Sequence, residues 1–314
     1  MPTLLRTVIP ALALSSMIAI SAAADPIPLI DAHSQVDHKV ELGGIVPLMD
    51  EAGIAHVILA TRSRLKPGPF MRFAREYPTR ITPSVRTKSR WFNRNHDKFY
   101  RRFRKQLAMP RFVAMAEVII WHAQKGNKAE FRAVSLESPQ VQAALQAAKA
   151  RGWPFVVHIE FAAAAAAGNY DTYMASFKRL LDAHPEHPFP LIHMGQLSAT
   201  ETRELIAAHQ NVYFITSHAN PVRVSRSRQP WVDMFDGGEV LAPVWKRLVI
   251  AHPERFILGF DNVWEEDWSD LYGRQADLWR SALADLPHGV AHKVAHRNAE
   301  RLWRLKPARY VEPG

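Results

Sequence analysis

The sequence contains no cysteine in its 314 residues. This absence excludes a disulfide framework and any thiolate metal site, whatever compartment the protein occupies. Hydrophobic residues make up 47% of the chain, which is enough material for one large core. The length does not decide between one large barrel domain and two smaller domains.

Long apolar runs are also absent. The longest, Val8 to Ile20, is shorter than the ~20 residues that a membrane-spanning helix needs. Arg6 precedes this run and the small residues Ser21 to Ala24 follow it, which is the order of a secretory signal. We therefore predict a signal peptide over residues 1–24, cleavage after Ala24, and a secreted or periplasmic mature chain over residues 25–314. A retained membrane anchor is the alternative.

No nucleic-acid-binding motif accompanies the basic charge of the chain, which has a formal net charge of +10. Much of the excess lies between Arg86 and Lys105, a segment with nine Lys or Arg residues and the single acid Asp97. Apolar residues recur at helical spacing in this segment, so an outer amphipathic helix with a solvated basic face is favoured over nucleic-acid binding. These apolar residues are Phe92, Phe99, Phe103 and Leu107.

Short runs rich in Val, Ile, Phe and Leu alternate with helical patterns along the rest of the chain. Such alternation predicts parallel strands joined by helices, and eight units in about 280 residues fit a closed (β/α)8 TIM barrel better than one doubly wound sheet. The predicted strands are Ile27 to Ala32, His56 to Thr61, Arg80 to Val85, Phe112 to Ile120, Phe155 to Ile159, Pro190 to Met194, Asn211 to Thr216 and Phe256 to Phe260.

Several of the predicted helices have recognisable ends. A helix over Ile45 to Ala52 precedes a glycine, a helix over Pro139 to Arg151 begins with proline, and Ser198 to Glu201 has the pattern of a capping box. Trp279 and Trp303 fall on outer helices, where they could belong to the core or to an interface. A homo-oligomer therefore remains possible.

Polar residues stand at the carboxyl ends of several predicted strands, the face on which barrel enzymes build their active sites. His33 and Gln35 end the first strand and point to the same side, because strand side chains repeat with period two. The other polar residues at strand ends are Glu117, His158, His193 and Asp261.

These residues resemble the metal site of the amidohydrolase superfamily. The segment Asp31 to Val36 resembles the Asp-x-His-x-His end of the family's first strand, with Gln35 where the second histidine is expected. The resemblance is to the amidohydrolase-2 branch, also called the metal-dependent hydrolase or aminocarboxymuconate-decarboxylase-like branch, and it covers residues 27 to 305. The segments that carry it further are Phe155 to Ile159, Leu191 to Gly195, Phe256 to Asp261 and Arg297 to Leu302.

The resemblance implies a divalent metal ion and a site that hydrolyses C–N, C–O or C–C bonds through a metal-activated water. Asp261 would bind the ion and act as base, while His193 would shuttle a proton. Zinc is the first expectation, and manganese is the alternative because a glutamine oxygen is a poorer zinc donor than imidazole. The expected metal ligands are His33, Gln35, His158, Asp261 and Glu117.

Two alternatives to hydrolysis remain open at this point. One is non-oxidative decarboxylation, which also occurs in this branch, and the other is a degenerate, metal-free barrel that acts as a binding protein. Glu117 supplies the missing ligand only if its carboxylate points inward; otherwise we expect it to pair with an arginine. His38, in the first loop, is the other residue that could replace the missing histidine.

The loops at the mouth of the predicted barrel indicate the kind of substrate. Arg62 and Arg86 follow the second and third strands, and Trp121 and Trp264 follow the fourth and eighth. Guanidinium groups bind carboxylate or phosphate, and aromatic walls hold flat or apolar groups. We therefore predict a small anionic substrate, most simply a carboxylated compound, that contacts these four residues.

Overall fold

The computed structural model describes residues 26–127 and 129–314. The predicted signal segment, residues 1–24, lies outside the described residues, so its cleavage and the export of the protein stay predictions. Within the described ranges no helix is both long and apolar enough to cross a membrane.

The strands form the wall of a barrel, and all except β6 run parallel. The fourth barrel strand is divided into β4, which pairs with β3, and β5, which pairs with β7. The short β6 adds to β5 in the antiparallel direction. The strands are β1 (Leu29–Val36), β2 (Ile54–Thr61), β3 (Ile81–Val85), β4 (Ala114–Met115), β5 (Val118–His122), β6 (Arg132–Ala133), β7 (Val157–Ile159), β8 (Phe189–Leu191), β9 (Val212–Ile215) and β10 (Phe256–Ile257).

Backbone hydrogen bonds between the first and last strands close the barrel. Ala32 N donates to Leu258 O at 3.0 Å, and Asp261 N donates to His33 O at 2.6 Å. The chain beyond β10 therefore continues along β1 and carries Asp261 to its position beside His33. The predicted (β/α)8 fold is confirmed.

Helices follow the strands and cover the outside of the barrel. The predicted capping box of Ser198 and Glu201 is present, and the helix that begins at Pro139 ends at Gly152 in a left-handed conformation with a φ of 63°. The α-helices are α1 (Ile45–Glu51), α2 (Pro67–Glu76), α3 (Arg90–Asn93), α4 (Asp97–Leu107), α5 (Pro139–Arg151), α6 (Phe161–Ala166), α7 (Tyr170–Ala183), α8 (Ala199–Ala208), α9 (Pro221–Val224), α10 (Pro243–Ala251), α11 (Asp270–Ala284), α12 (His288–His292) and α13 (Asn298–Trp303).

The basic segment after β3 folds largely as the sequence predicted. Helix α4 buries Phe99 and Phe103 and leaves most of its basic side chains exposed. This is the arrangement of an amphipathic outer helix.

A separate apolar cluster fills the interior of the barrel below the polar mouth. Inward-facing residues such as Ile30, Ile58 and Ile257 meet the side chains of Leu302 and Trp303 from α13. The last α-helix thus forms the floor of the barrel. Trp303 on α13 and Trp279 on α11 are both buried in the core of this chain.

The fourth strand differs from the prediction, which treated Phe112 to Ile120 as continuous. Ala116 N donates to Val85 O at 2.9 Å, while Val118 N donates to Val156 O at 2.8 Å, so the chain changes partners between these two residues. The residue at the change is Glu117, whose side chain is buried. This break, rather than a regular strand end, places the Glu117 carboxylate inside the barrel mouth.

Candidate functional site

His33 projects from β1 toward two carboxylates. Its Nε2 lies 3.5 Å from Oε1 of Glu117 and 3.8 Å from Oδ1 of Asp261. Its Nδ1 lies 3.3 Å from Oγ of Ser217. Nε2 is buried and has no hydrogen-bond partner, which is uncommon for a buried ring nitrogen. The pKa of His33 is raised: burial alone would lower it, but Asp261 and Glu117 favour the protonated ring.

Gln35 binds the same two carboxylates through its amide nitrogen. Nε2 donates to Glu117 Oε1 at 2.8 Å and to Asp261 Oδ1 at 2.9 Å, while the amide oxygen accepts a hydrogen bond from Lys88 Nζ at 3.3 Å. This orientation follows from the charges, because ionised carboxylates only accept and an ammonium only donates. The structure therefore places Gln35 as a support for the two carboxylates, with its oxygen turned toward Lys88 instead of toward them.

Glu117 is buried and points inward, as the ligand prediction requires. It pairs with Lys88 and with Nδ1 of His158 rather than with an arginine. Burial alone would raise the pKa of Glu117, but the positive charges of Lys88 and His158 hold it well below its usual value. His38, the other candidate, lies 3.7 Å from Asp37 with its side chain 38% exposed.

His158 lies at the centre of a second group of polar residues. Its Nδ1 contacts Glu117, and its Nε2 lies 3.0 Å from Oε1 of Glu160. Lys125 Nζ is 2.7 Å from the same oxygen of Glu160. Both ring nitrogens of His158 therefore face carboxylates, so in this arrangement His158 holds Glu117 in place. His122 lies beside His158, and burial lowers its pKa strongly.

A stacked pair of histidines forms the opposite side of the site. The rings of His193 and His218 lie 4.4 Å apart with an interplanar angle of 9°, and Trp231 packs against both. Burial lowers the pKa of each ring well below its usual value, with further contributions from His218 at His193 and from Arg223 at His218. Both are therefore neutral near pH 7.

The neutral His193 ring presents a bare nitrogen to Asp261. Its Nδ1 lies 3.2 Å from the carbonyl oxygen of Ser217, which only accepts, and 3.0 Å from the Ser217 hydroxyl, which can accept as well, so we assign the proton to Nδ1. Its Nε2 lies 3.5 Å from Oδ2 of Asp261, and so does Nε2 of His218. The two carboxylate oxygens of Asp261 consequently face different sides of the site.

Unusual backbone conformations present these side chains. His193, His218 and Asp261 have φ values of 54°, 63° and 55°, a region that non-glycine residues rarely adopt and that recurs at functional sites. At Gly259, a Cβ atom would lie 2.6 Å from Cγ2 of Ile215 and 3.3 Å from Cβ of His33. Glycine at this position therefore allows the last strand to lie close enough to β1 to bring Asp261 beside His33.

Asp31 supports this region from beneath. It accepts hydrogen bonds at 3.1 Å from the backbone N–H groups of His33 and Phe260 and from the hydroxyl of Tyr272. Burial raises its pKa. Because its partners lie on β1, after β10 and on α11, Asp31 fixes the position of His33 relative to the last strand.

Three groups among the described residues have metal-ligating atoms within 4.8 Å of one another. Each group includes an atom that already contacts a cation of the chain, namely Arg223 at His218, Lys125 at Glu160 and Lys88 at Glu117. The third group is the one that combines two carboxylates with an imidazole, so it offers the most negative charge to a divalent cation, and the Nε2 of its His33 has no hydrogen-bond partner. The residues present therefore fit a divalent ion best at this third group, which consists of His33, Glu117 and Asp261.

Cationic cavities of about 240 Å³ and about 380 Å³ open above the site and share Arg62, Lys88 and His122 in their walls. The guanidinium of Arg62 lies over the Trp264 ring at 4.2 Å, and both residues border the first cavity. Arg86 lines the second. Their contact with a substrate stays a prediction.

Burial, with repulsion from Arg62, Arg102 and Arg132, lowers the pKa of Arg86 to about 10. The hydrogen bonds of its side chain go to the backbone oxygens of Lys88 and Ser63. The Arg86 charge is therefore surrounded by like charges, which favours an anionic ligand.

Trp121 lies elsewhere. Its ring packs against Phe131 and Tyr173, away from the residues that line these two cavities. The register shift between Ile119 and Trp121 changes which side of the strand each following residue faces, and a count from the strand end cannot detect this.

The structure brings His33, Gln35, Glu117, His158, His193 and Asp261 together at one end of the barrel. Sequence reasoning did not identify His122, Lys125, Glu160, His218 or Lys88 as members of this site. Glu160 could have been found, because it follows His158 by two residues. His218 lies past the end of β9 in a turn with positive φ, for which the sequence carries no local pattern.

Comparison of the sequence with protein-family models identifies the family of this chain. The amidohydrolase family model matches residues 22–305, so the chain belongs to the amidohydrolase family. A search of curated protein sequences finds no match.

Solved structures with the same fold are distant in sequence. An amidohydrolase from Burkholderia multivorans with bound zinc is 13% identical with a TM-score of 0.53, covering 89% of this chain and all of that one. 4-Oxalomesaconate hydratase from Rhodopseudomonas palustris is 11% identical with a TM-score of 0.54, covering 88% and 95%. An organophosphorus hydrolase from Deinococcus radiodurans is 14% identical with a TM-score of 0.52, covering 88% and 92%. At these identities the likeness shows the fold alone.

Proposed function

We propose that this protein is a metal-dependent hydrolase of a small carboxylated organic compound. The observation that carries the proposal is the position of Asp261. Its Oδ1 lies 3.8 Å from Nε2 of His33, and its Oδ2 lies 3.5 Å from Nε2 of both His193 and His218. This carboxylate borders the cationic cavity of about 240 Å³, so a bound molecule would meet it directly.

A divalent ion would be held by His33, Glu117 and Asp261, with zinc as the first candidate and manganese as the alternative. When bound, such an ion supplies a Lewis acid that polarises a substrate oxygen and makes a water molecule acidic enough to react at neutral pH. Gln35 would keep both carboxylates in position through its two hydrogen bonds.

The chain's own groups handle the protons. Oδ2 of Asp261 accepts a proton from the attacking water, and Nε2 of His193 is a bare acceptor 3.5 Å from that oxygen. His193 can take the proton and give it to the leaving group, because its Nδ1 proton is held by the carbonyl of Ser217. Trp231 covers the two imidazoles and limits access of bulk water to them.

The substrate would be an anion whose charged group lies away from the reacting bond. Arg62 borders both cavities. Lys125 and Arg223 border the first and Arg86 borders the second, so both cavities present positive charge to a ligand. Trp264 and Trp231 provide flat surfaces in the first cavity. A compound with a carboxylate at one end and a hydrolysable bond at the other fits this division.

The test is to screen zinc- and manganese-loaded protein against carboxylated amides, esters and lactones, and to repeat any positive reaction with Asp261→Asn. We expect turnover to fall by at least ~10²-fold, because general base catalysis contributes that much or more. Asp277→Asn is the matched control, since Asp277 is an exposed residue on α11 that pairs with Arg280 at 3.0 Å.

Two other outcomes would contradict the hydrolase proposal. Release of carbon dioxide from carboxylic acids, without hydrolysis, would assign the protein to decarboxylation. Saturable binding of carboxylates with no turnover of any compound would assign it to the metal-free binding class.

We also propose that the protein acts outside the cytoplasm after cleavage behind Ala24. The apolar run Val8 to Ile20 and the small residues after it support this proposal. N-terminal sequencing of the protein recovered from an exporting host is expected to begin at Asp25, and recovery of a chain that begins at Met1 would contradict it.

A further inference from the structure

Lys88, the third residue after β3, extends into the centre of the site. Its ammonium contacts Oε1 of Glu117 and lies 3.3 Å from the amide oxygen of Gln35, and its side chain is only 15% exposed. The oxygen that it contacts is also the one that lies 3.5 Å from the unpartnered Nε2 of His33 and accepts a hydrogen bond from Gln35. A buried cation of the chain itself therefore shares its carboxylate oxygen with the site that fits a divalent ion.

We infer that Lys88 competes with the divalent ion for Oε1 of Glu117 and thereby sets how tightly this protein holds its metal. The inference rests on the ion position in the proposed function, namely the group of His33, Glu117 and Asp261. It goes beyond that function because it concerns the exchange of the ion, whatever reaction the loaded site performs.

The competition follows from charge and geometry. An ammonium has three donors and no acceptor, so it cannot share a carboxylate oxygen with a divalent cation without strong repulsion at close range. An ion that binds Glu117 must therefore displace Lys88. The flexible lysine side chain has space to move into, because Lys88 also lines both mouth cavities.

Gln35 takes part in the same arrangement as Lys88. Its amide accepts from Lys88 while it donates to Glu117 and Asp261, so it satisfies an ammonium and two carboxylates at once. A neutral imidazole has one donor and one acceptor and could not make these three contacts. Gln35 and Lys88 therefore act together: Lys88 offsets the charge of the buried Glu117, and Gln35 donates a hydrogen bond to it, when no ion is present.

The test is a zinc titration against a competing chromophoric chelator, with wild type, Lys88→Met and Lys88→Arg in one buffer. Lys88→Met is expected to bind zinc ~10- to 100-fold more tightly, the size of effect that neighbours of metal ligands commonly have. Lys88→Arg keeps the positive charge at this position and is expected to stay within a few-fold of wild type. Equal or weaker zinc binding by Lys88→Met would overturn the inference.

Two lysine variants separate direct competition from a general loss of positive charge. Lys125→Met removes a cation from the same cavity, but that cation pairs with Glu160. Lys246→Met removes a cation that pairs with Asp285 at 2.8 Å outside the site. Both are expected to change zinc affinity much less than Lys88→Met does. A gain with Lys125→Met as large as that with Lys88→Met would show that charge in the cavity matters and that contact with Glu117 does not.

Lys88→Met leaves the buried Glu117 without its ammonium partner, which destabilises the metal-free variant. Lys88→Gln keeps a hydrogen-bond donor for Glu117 and serves as the second variant, with the same expected direction. Thermal unfolding with and without zinc gives an independent measure, since the stabilisation by a ligand grows with the logarithm of its concentration divided by Kd. The zinc-induced rise in Tm is expected to be larger in either neutral variant than in wild type, and an equal rise would overturn the inference.

These measurements do not depend on finding a substrate. Tighter zinc binding by Lys88→Met together with no hydrolysis by wild type would support the competition and contradict the proposed function. Zinc binding that is undetectable in wild type and in both neutral variants would overturn the competition, because no ion would then use Glu117.

Discussion

The polar groups buried on the two sides of the barrel mouth differ in charge. On the side of Glu117, a carboxylate is surrounded by Lys88, Gln35 and His158, and every partner donates to it or carries a positive charge. On the side of His193 and His218, the buried groups are neutral because burial lowers their pKa values. The first side holds charge in a fixed arrangement, and the second keeps groups that can accept a proton.

Asp261 lies between the two sides and belongs to both. One of its oxygens accepts from Gln35 at 2.9 Å, and the other lies 3.5 Å from His193. We infer that a single carboxylate can take part in holding an ion and in moving a proton because its two oxygens face different surroundings.

The largest effect is expected from a change that alters only the side of the mouth with His193 and His218. His193→Ala removes the unprotonated ring nitrogen beside Asp261. It does not replace any member of the group of His33, Glu117 and Asp261. Turnover is expected to fall by ~10²- to 10⁴-fold, as for loss of a proton shuttle, while zinc affinity is retained. Measurement of both in the same preparation checks this, and parallel loss of zinc and turnover would reassign His193 as a ligand.

A smaller effect is expected when the charge-holding side is altered. Gln35→His replaces the acceptor of Lys88 by a ring that can offer a nitrogen to the ion, so zinc affinity is expected to rise by ~10-fold. His158→Ala loosens Glu117 and is expected to weaken zinc binding by a similar factor.

A chelator competition in one buffer ranks the two variants against wild type. Unchanged zinc binding by His158→Ala would contradict the view that His158 helps to form this site. The ranking uses zinc affinity and not activity, because Gln35→His changes the site that a substrate meets as well as the binding of the ion.

The smallest expected effect concerns stability at low pH. His193 and His218 have lowered pKa values in the folded protein, whereas an unfolded histidine titrates near ~6.5. Below that value the unfolded chain binds protons that these folded histidines do not, so the stability of the metal-free protein is expected to fall as pH decreases. Each such group contributes about 1.4 kcal/mol per pH unit below its unfolded pKa.

Urea unfolding at pH 7.5 and pH 5.5, with a chelator present, measures this loss. His218→Gln removes one of the two groups, so it is expected to show a smaller difference in unfolding free energy between the two pH values than wild type. An equal difference in the variant would show that His218 is not held neutral in the fold.

The comparison also shows which parts of the site a sequence can predict. His33, His158 and Asp261 could be placed because each stands at a strand end, and the carboxyl ends of parallel strands meet at one face of a barrel. Their types and order carried the resemblance to the family. The partners of these residues were harder to predict, because Lys88 and His218 lie in loops whose paths depend on tertiary packing.

Two features of the site could not be predicted from local sequence patterns, and each has a physical reason. The fourth strand changes partners at Glu117 and shifts register before Trp121, so alternation cannot be carried through it. The change of partner turns Glu117 into the site, and the register shift turns Trp121 out of it. The role of Gln35 likewise could not be predicted from position 35 alone, because it depends on the lysine 53 positions later in the chain.

The position of α13 has a consequence for how the protein is made. The floor of the barrel is closed by Leu302 and Trp303, which pack against the inward side of β1 and its neighbours. Helix α13 follows every barrel strand in the chain, so during synthesis its residues leave the ribosome after all of the strands. The strands can collapse together earlier, but their interior stays open at the bottom until α13 arrives. The interior of the barrel is therefore sealed only after all of its strands have been synthesised.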